Sequence, residues 1–336
     1  MTARLLFTRS FLLAVGLLAV SELVARVFFS SNVEGRFEYG YHPTAGFTEG
    51  ADGVLELRRS GGRRFFPQTY PVKRPDHTYR IMVIGDSVAR GRSLRASYGG
   101  KLEERLRSKG LECEVWNLCV PGYGAERIQL VLKQGLRYDP SLVVFHLNNS
   151  NEYEDDREKK RSLEFQGPHP RNWLMKSFLL RRLYEAKTEQ LAWKYLTEPM
   201  RSMSSSGDAD AEVAAGMNPL KLKAWQQRVE ETTAESLRLC RQAGVPVILV
   251  TQANAKKGTD GKHHLIDAGL DPLAGSLTNR NVVHVSMATA LKNHSLAEIY
   301  ADTSHLLESG HALMATALLE AVERGQLLEM RSADRR

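Results

Sequence analysis

Cysteine is scarce in this 336-residue chain, which has only Cys113, Cys119 and Cys240. Three are too few for a disulfide framework and have no metal-binding spacing. Each lies in a strand- or helix-like apolar pattern, so buried free thiols are expected, with one bridge left open in an oxidising compartment. No His/Cys/Asp cluster has metal spacing and no Gly-rich phosphate loop carries a Lys, so no metal, nucleotide or other cofactor is implied. The pair His263-His264, in an expected loop, reads as solvated, while His146 and His284 fall in apolar runs as core or rim residues. Charge is not strongly one-signed: the net of +7 and pI near 9.3 come from small scattered groups, Arg58-Arg59, Arg63-Arg64, Lys159-Lys160-Arg161 and Arg181-Arg182. Without an aromatic-interleaved basic stripe, no nucleic acid is expected. An anionic partner such as lipid head groups or acidic glycan is admitted, but the scatter reads first as solvated surface near a membrane. There is no internal repeat.

One long apolar run is present, at the N-terminus. Arg4 and Arg9 precede an unbroken stretch from Phe11 to Val20, which Leu23, Val24, Ala25, Val27, Phe28 and Phe29 extend. A basic start followed by such a run suits a secretory signal, and Ala19-Val20-Ser21 offers small residues for cleavage. From Leu5 to Phe29 the segment is also long enough to cross a bilayer. Its charges lie near the ends, and Glu22 and Arg26, four apart, are placed to pair on one helix face. An uncleaved signal-anchor is therefore favoured over a cleaved signal and secretion, with a buried core helix third. The basic N-terminus is then cytoplasmic and the remainder extracytoplasmic, on the periplasmic side if the cell is Gram-negative.

Beyond residue 30 the composition is that of an ordinary globular domain. Residues 31–78 read as a Gly-, Pro- and Arg-rich connecting segment. Strand and helix patterns then alternate: a strand over Tyr79–Gly85, a helix containing Lys101–Lys109, a strand over Glu112–Leu118, a helix over Glu126–Gly135 and a strand over Ser141–Leu147. After an interruption come a helix over Lys221–Ala243, strands over Val245–Thr251 and Val282–Met287, and a closing helix over His311–Glu323. This alternation predicts a central parallel sheet of about five strands with helices on both faces. One domain over 79–325 is expected, with a tail at 326–336. The interruption, about 153–217, is a helical insertion containing Trp173, Phe178, Leu179, Leu183, Tyr184, Leu191, Trp193 and Tyr195, closing in a linker around Ser204-Ser205-Ser206-Gly207. It reads equally as a lid over a site or as a helical pair packed on the surface or the membrane.

The first strand ends in Gly85-Asp86-Ser87, with Gly91 four residues after the serine. Gly-Asp-Ser-x-x-x-Gly arises by chance in roughly one chain of this length per couple of hundred, so its context decides. Here it stands where open α/β sheets place their sites, at a strand's carboxyl end and a helix's amino end. Near the C-terminus, Asp302-Thr303-Ser304-His305 precedes the last helix. An Asp three residues before a His is spaced to hold one imidazole nitrogen while the other faces a hydroxyl, which a serine nucleophile needs.

These segments resemble the first and last sequence blocks of the SGNH/GDSL hydrolase family. The resemblance covers roughly Arg80 to Glu323, interrupted by the insertion. It implies a flavodoxin-like α/β/α three-layer fold, Ser87 as nucleophile, His305 as base and Asp302 as its orienting acid. The family adds two oxyanion donors. Val115-Trp116-Asn117-Leu118-Cys119-Val120-Pro121-Gly122-Tyr123-Gly124 is similar to its second block, which implies the Gly122 backbone N–H. Asn149-Ser150-Asn151-Glu152 stands where Gly-x-Asn-Asp is usual, which implies the Asn151 amide, with Asn148 and Asn149 as alternative registers. Ser87 N–H would be the third donor. No Gly-x-Ser-x-Gly elbow occurs, which disfavours the α/β-hydrolase family.

Each residue also has an ordinary reading: Ser87 as a helix cap, Gly122 as a turn residue, Asn151 as a loop residue, His305 as a surface histidine. Four blocks in the expected order outweigh those readings taken together. The expectation is a serine esterase acting outside the cytoplasm on an O-acyl ester, O-acetyl on cell-envelope glycan being the first choice. Transfer of the acyl group to a sugar hydroxyl is the runner-up. A non-catalytic glycan-binding or scaffold protein on the same fold stays open because of the departure at 149–152.

Overall fold

The computed structural model describes residues 2–29, 40–41, 45–60, 63–166, 177–180, 183 and 219–328. In helix α1 (Thr2–Phe29) the side chains of residues 7–28 stand almost all exposed, with Ala25 buried, and residues Phe7–Phe28 are long and apolar enough to cross a membrane. The expected pair forms, with Arg26 Nε donating to Glu22 Oε1 at 3.0 Å.

Residues 31–78 hold more than a connection. Strands β1 (Phe47–Glu49), β2 (Val54–Ser60) and β3 (Arg63–Pro71) form an antiparallel sheet. The alternation Val54-Leu55-Glu56-Leu57 is a period-2 signal, and it buries Leu55 and Leu57. The chain then enters β4 (Tyr79–Gly85), the short α2 (Ser87–Arg90), α3 (Tyr98–Ser108), β5 (Cys113–Cys119), α4 (Ala125–Gly135), β6 (Leu142–Leu147) and α5 (Glu152–Gln166). It continues with α6 (Pro219–Gln242), β7 (Val247–Thr251), a hairpin of β8 (Ala253–Lys257) and β9 (His263–Asp267), α7 (Asp271–Leu277), β10 (Val282–Ser286), α8 (Met287–Leu291), α9 (Leu296–Ile299) and α10 (Glu308–Arg324). His263 and His264 therefore lie on β9 rather than in a loop; both are exposed.

The main sheet has five strands in the order β10-β7-β6-β4-β5, all parallel. Side chains alternate across β4: Ile81 and Val83 enter one core with Leu102, Leu106, Met314 and Leu318. Met82 and Ile84 enter the other with Trp116, Ile128, Leu132, Val229 and Leu237. Helices thus cover both faces, giving the three α/β/α layers. The small sheet packs on the second face through Phe47, Leu55, Leu57 and Phe65. It also covers the edge strand β5, whose exposed backbone would otherwise be open to pairing. Gln68 Nε2 donates to Asn117 O at 2.8 Å, and Gln68 Oε1 accepts from Asn117 N at 2.8 Å.

All three cysteines are free and buried. The charge run from Tyr153 onward is helix α5. Of the apolar insertion residues, Phe178, Leu179 and Leu183 are helical; Trp173, Tyr184, Leu191, Trp193, Tyr195 and the 204–207 linker lie outside the described residues.

Candidate active site

The connection leaving β4 crosses to β5 on one side, and the chain then returns past β4 to β6 on the other. The carboxyl ends of β4 and β6 flank this reversal, where open sheets leave a crevice. Ser87 follows β4, the Gly122 turn follows β5 and Asn148–Asn151 follow β6.

Gly85 is needed here for its missing side chain. A Cβ would stand 2.8 Å from His146 Cβ and 3.1 Å from Ala89 Cβ, so strand and helix approach only because it is glycine. Asp86 then caps α2, its Oδ1 accepting from Val88 N at 2.9 Å. Ser87 is the first residue of that helix, and its Oγ lies 2.9 Å from His305 Nε2.

His305 comes from a closed loop between α9 and α10. Tyr300 bridges Leu306, Ala301 N donates to His305 O at 2.7 Å, and Ala255 N of β8 donates to Thr303 O at 2.8 Å. Asp302 Oδ1 accepts from Ser304 N at 2.8 Å and His305 N at 2.7 Å, which folds the carboxylate under the ring. Asp302 Oδ2 is 2.9 Å and Oδ1 3.1 Å from His305 Nδ1. A carboxylate there requires the proton on Nδ1, so Nε2 of the neutral ring offers its lone pair to the Ser87 hydroxyl. Burial alone would lower the His305 pKa, but the Asp302 hydrogen bond and charge, with the Asp86 charge, raise it above the usual imidazole value. For Asp302 burial works upward and is outweighed by its bonds to His305 and Ser304, which hold it below the usual carboxylate range.

The opposite side of the crevice carries the two further candidates. Gly122 has φ +71°, a left-handed conformation that a side chain would strain. Asn151 Nδ2 donates to Asp86 Oδ2 at 2.9 Å and to Tyr123 O at 3.2 Å, so both amide hydrogens are engaged within the protein. The Asn148 amide, buried, also donates to Asp86 Oδ2. The Asn149 amide turns away to Ala268 O at 3.1 Å. Asp86 is thus a buried hub joining the β4 and β6 ends, a role its place in Gly-Asp-Ser did not reveal.

The turn at 122–124 is fixed by charges that the sequence reading passed over. Helix α4 has no side-chain cap of its own at Gly124; carboxylates from α5 substitute. Asp155 Oδ1 accepts from Gly124 N at 2.8 Å, and Glu152 Oε1 from Ala125 N at 2.8 Å. Arg127 lies buried against Asp155, its Nε 2.5 Å from Asp155 Oδ1 and its Nη2 donating to Gly122 O at 2.5 Å. Burial, assisted by the Asp155 charge and opposed by the Ala125 hydrogen bond, pushes the Glu152 carboxyl up to about 7. Carboxylates at positions 152 and 155 share a helix face, the one signal that could have found them. On the other core face, His311 is pushed down to about 4 by burial and by the nearby His146 and His305.

No family model and no curated protein matches this chain. Among solved structures, a catalytic mutant of an acetylxylan esterase from Geobacillus stearothermophilus is similar at 12% identity and TM-score 0.43, covering 73% of this chain and 94% of that one. A GDSL-like lipase from Bacteroides thetaiotaomicron is similar at 11% identity and TM-score 0.38, covering 73% and 88%. An acetyl xylan esterase, AlAXEase, gives 14% identity and TM-score 0.43 over 72% and 99%.

Proposed function

We propose that this chain is a serine esterase of the SGNH/GDSL type. The observation that carries the reading is the continuous chain Asp302–His305–Ser87, with 2.9 Å at both of its joints. Ser87 Oγ attacks the acyl carbon as His305 Nε2 takes its proton, and Asp302 holds the imidazolium that results. The oxyanion meets the N–H groups of Ser87 and Gly122 and the Asn151 amide, which exchanges its longer bond to Tyr123 O for the new one. Each such donor is typically worth about 10²–10³ in rate. His305 returns its proton to the departing alkoxide oxygen, so the alcohol leaves and the acyl-enzyme remains. A water deprotonated by His305 then attacks the acyl carbon and releases the acid, restoring the Ser87 hydroxyl. If a sugar hydroxyl takes the place of water, the same site transfers the acyl group instead.

The apolar α1 supports a membrane-tethered enzyme with its catalytic domain outside the cytoplasm. An O-acyl ester of cell-envelope glycan, O-acetyl first, fits that placement. The test is labelling with a fluorophosphonate probe, with the adduct located by mass spectrometry. Modification of Ser87, absent in Ser87→Ala and His305→Ala, is the expected result. A folded protein that stays unlabelled beside a labelled control hydrolase would sink the esterase reading and favour a binding role.

A further inference from the structure

Glu22 is a carboxylate toward the carboxyl end of an exposed apolar helix and still inside the run Phe7–Phe28, a placement that lipid tolerates only with partners. Its partners come from the insertion, 155 residues away in sequence. Ser177 Oγ donates to Glu22 Oε2 at 2.7 Å, Phe178 N to Oε1 at 2.8 Å and Leu179 N to Oε2 at 3.0 Å. Arg26, bonded to the same carboxylate, stacks its guanidinium 4.9 Å from the Phe178 ring centroid. Residues 178–180 and 183 are helical, and Leu180 is 38% and Leu183 60% exposed. In sequence these residues sit in Trp173-Leu174-Met175-Lys176-Ser177-Phe178-Leu179-Leu180-Arg181-Arg182-Leu183-Tyr184, where aromatic and aliphatic residues alternate with basic ones and no acid intervenes. Apolar residues mixed with Lys and Arg are the composition of segments that lie in a bilayer interface and are drawn to anionic head groups.

We infer that the insertion carries a membrane-seated foot around Phe178–Leu183, which binds the anionic bilayer surface and is latched to the spanning helix by Glu22. The occupant of the exposed face at Leu180 and Leu183 is lipid, because Ser177, Phe178 and Leu179 beside them are bonded to the apolar helix at Glu22. The latch holds residues 177–179 against the spanning helix.

The test uses full-length protein in vesicles of phosphatidylcholine with phosphatidylglycerol, carrying an NBD label on Leu183→Cys and quencher on the lipid chains. The three native cysteines are buried and leave the new thiol as the labelling site. Quenching at position 183 should exceed severalfold that of the same label on Lys292→Cys, an exposed site remote in sequence from the insertion, and should drop in vesicles of phosphatidylcholine alone. Glu22→Gln and Ser177→Ala should each reduce it, while a label on Leu13→Cys within α1 stays quenched. A label at 183 no more quenched than at 292, or one shielded from water yet untouched by the lipid quencher, would overturn the inference, the second by placing protein on that face. Quenching unchanged by Glu22→Gln and Ser177→Ala would overturn the latch. None of these readouts depends on esterase activity.

Discussion

Ser87, Asp302 and His305 are held by devices a few residues long, whereas the Gly122 turn is held by charges from another helix and Asn151 by Asp86 at the end of β4. Asp86 caps the helix that begins at Ser87, and Asp302 folds back onto the amide and ring three residues later. Across the crevice, Gly124, Ala125 and Arg127 depend on Glu152 and Asp155. A locally built half needs only its own turn to form. A half built from distant buried charges needs the whole domain assembled, and each charge is costly if its partner is lost.

The sharpest test of the local half is removal of its reacting groups. Ser87→Ala and His305→Ala should each lower kcat by on the order of 10⁶ with an unchanged unfolding midpoint, measured by ester hydrolysis and by urea titration. Asp302→Asn should lower kcat by about 10⁴. In the proposed mechanism His305 acts as the neutral base and its pKa is raised, so the wild-type acidic limb should lie above about pH 6.5. Asp302→Asn should move that limb downward, since it removes the carboxylate that raises the imidazole; a limb that stays put would show that Asp302 does not tune His305.

The assembled half should respond in stability first. Arg127→Met strands Asp155 without its cation and should cost about 3–5 kcal/mol, read from the urea midpoint. Arg127→Met with Asp155→Leu should recover a large part, whereas an equal or greater loss would mean that hydrogen bonds to Gly122 O and Gly124 N dominate. Asn148 and Asn151 divide the comparison finely, because both amides rest on Asp86. Asn151→Ala should lower kcat by about 10²–10³ with KM little changed. The fully buried Asn148 should cost stability on replacement by Ala; a larger kcat loss there than at Asn151 would move the oxyanion donor to Asn148.

Glu152 gives the smallest effect and a defined pH window. Its carboxyl titrates near 7 when folded against an ordinary 4.5, so the folded state holds the proton more tightly. Stability from that proton is present below about pH 4.5 and is lost as pH rises through about 7. Glu152→Gln should flatten this loss by up to about 3 kcal/mol between about pH 5 and about pH 8, measured as the difference in unfolding free energy.

Much of the sheet was legible because its strands are buried on both faces and read as continuous apolar runs. Tyr79–Gly85 is found over those residues, and the other four core strands within two residues of expectation. The small sheet of β1–β3 was missed for the opposite reason. Gly53, Pro67, Pro71 and the paired arginines mask its alternation, and it becomes stable by covering an edge that the sequence does not advertise. The β8–β9 hairpin was hidden in the same way by the polar residues between Asn254 and His264.

Order along the chain and local periodicity determined that a parallel sheet forms and that Ser87 stands at the end of its first core strand. They also determined that Asp302 and His305 lie on one turn, because spacing within a few residues translates directly into geometry. Tertiary structure alone decided that His305 Nε2 meets Ser87 Oγ across 218 residues, that two asparagines converge on Asp86, and that Arg127 finds Asp155 in the interior. Pairings of that kind depend on how helices and strands pack, and desolvation then sets the pKa of every group they enclose.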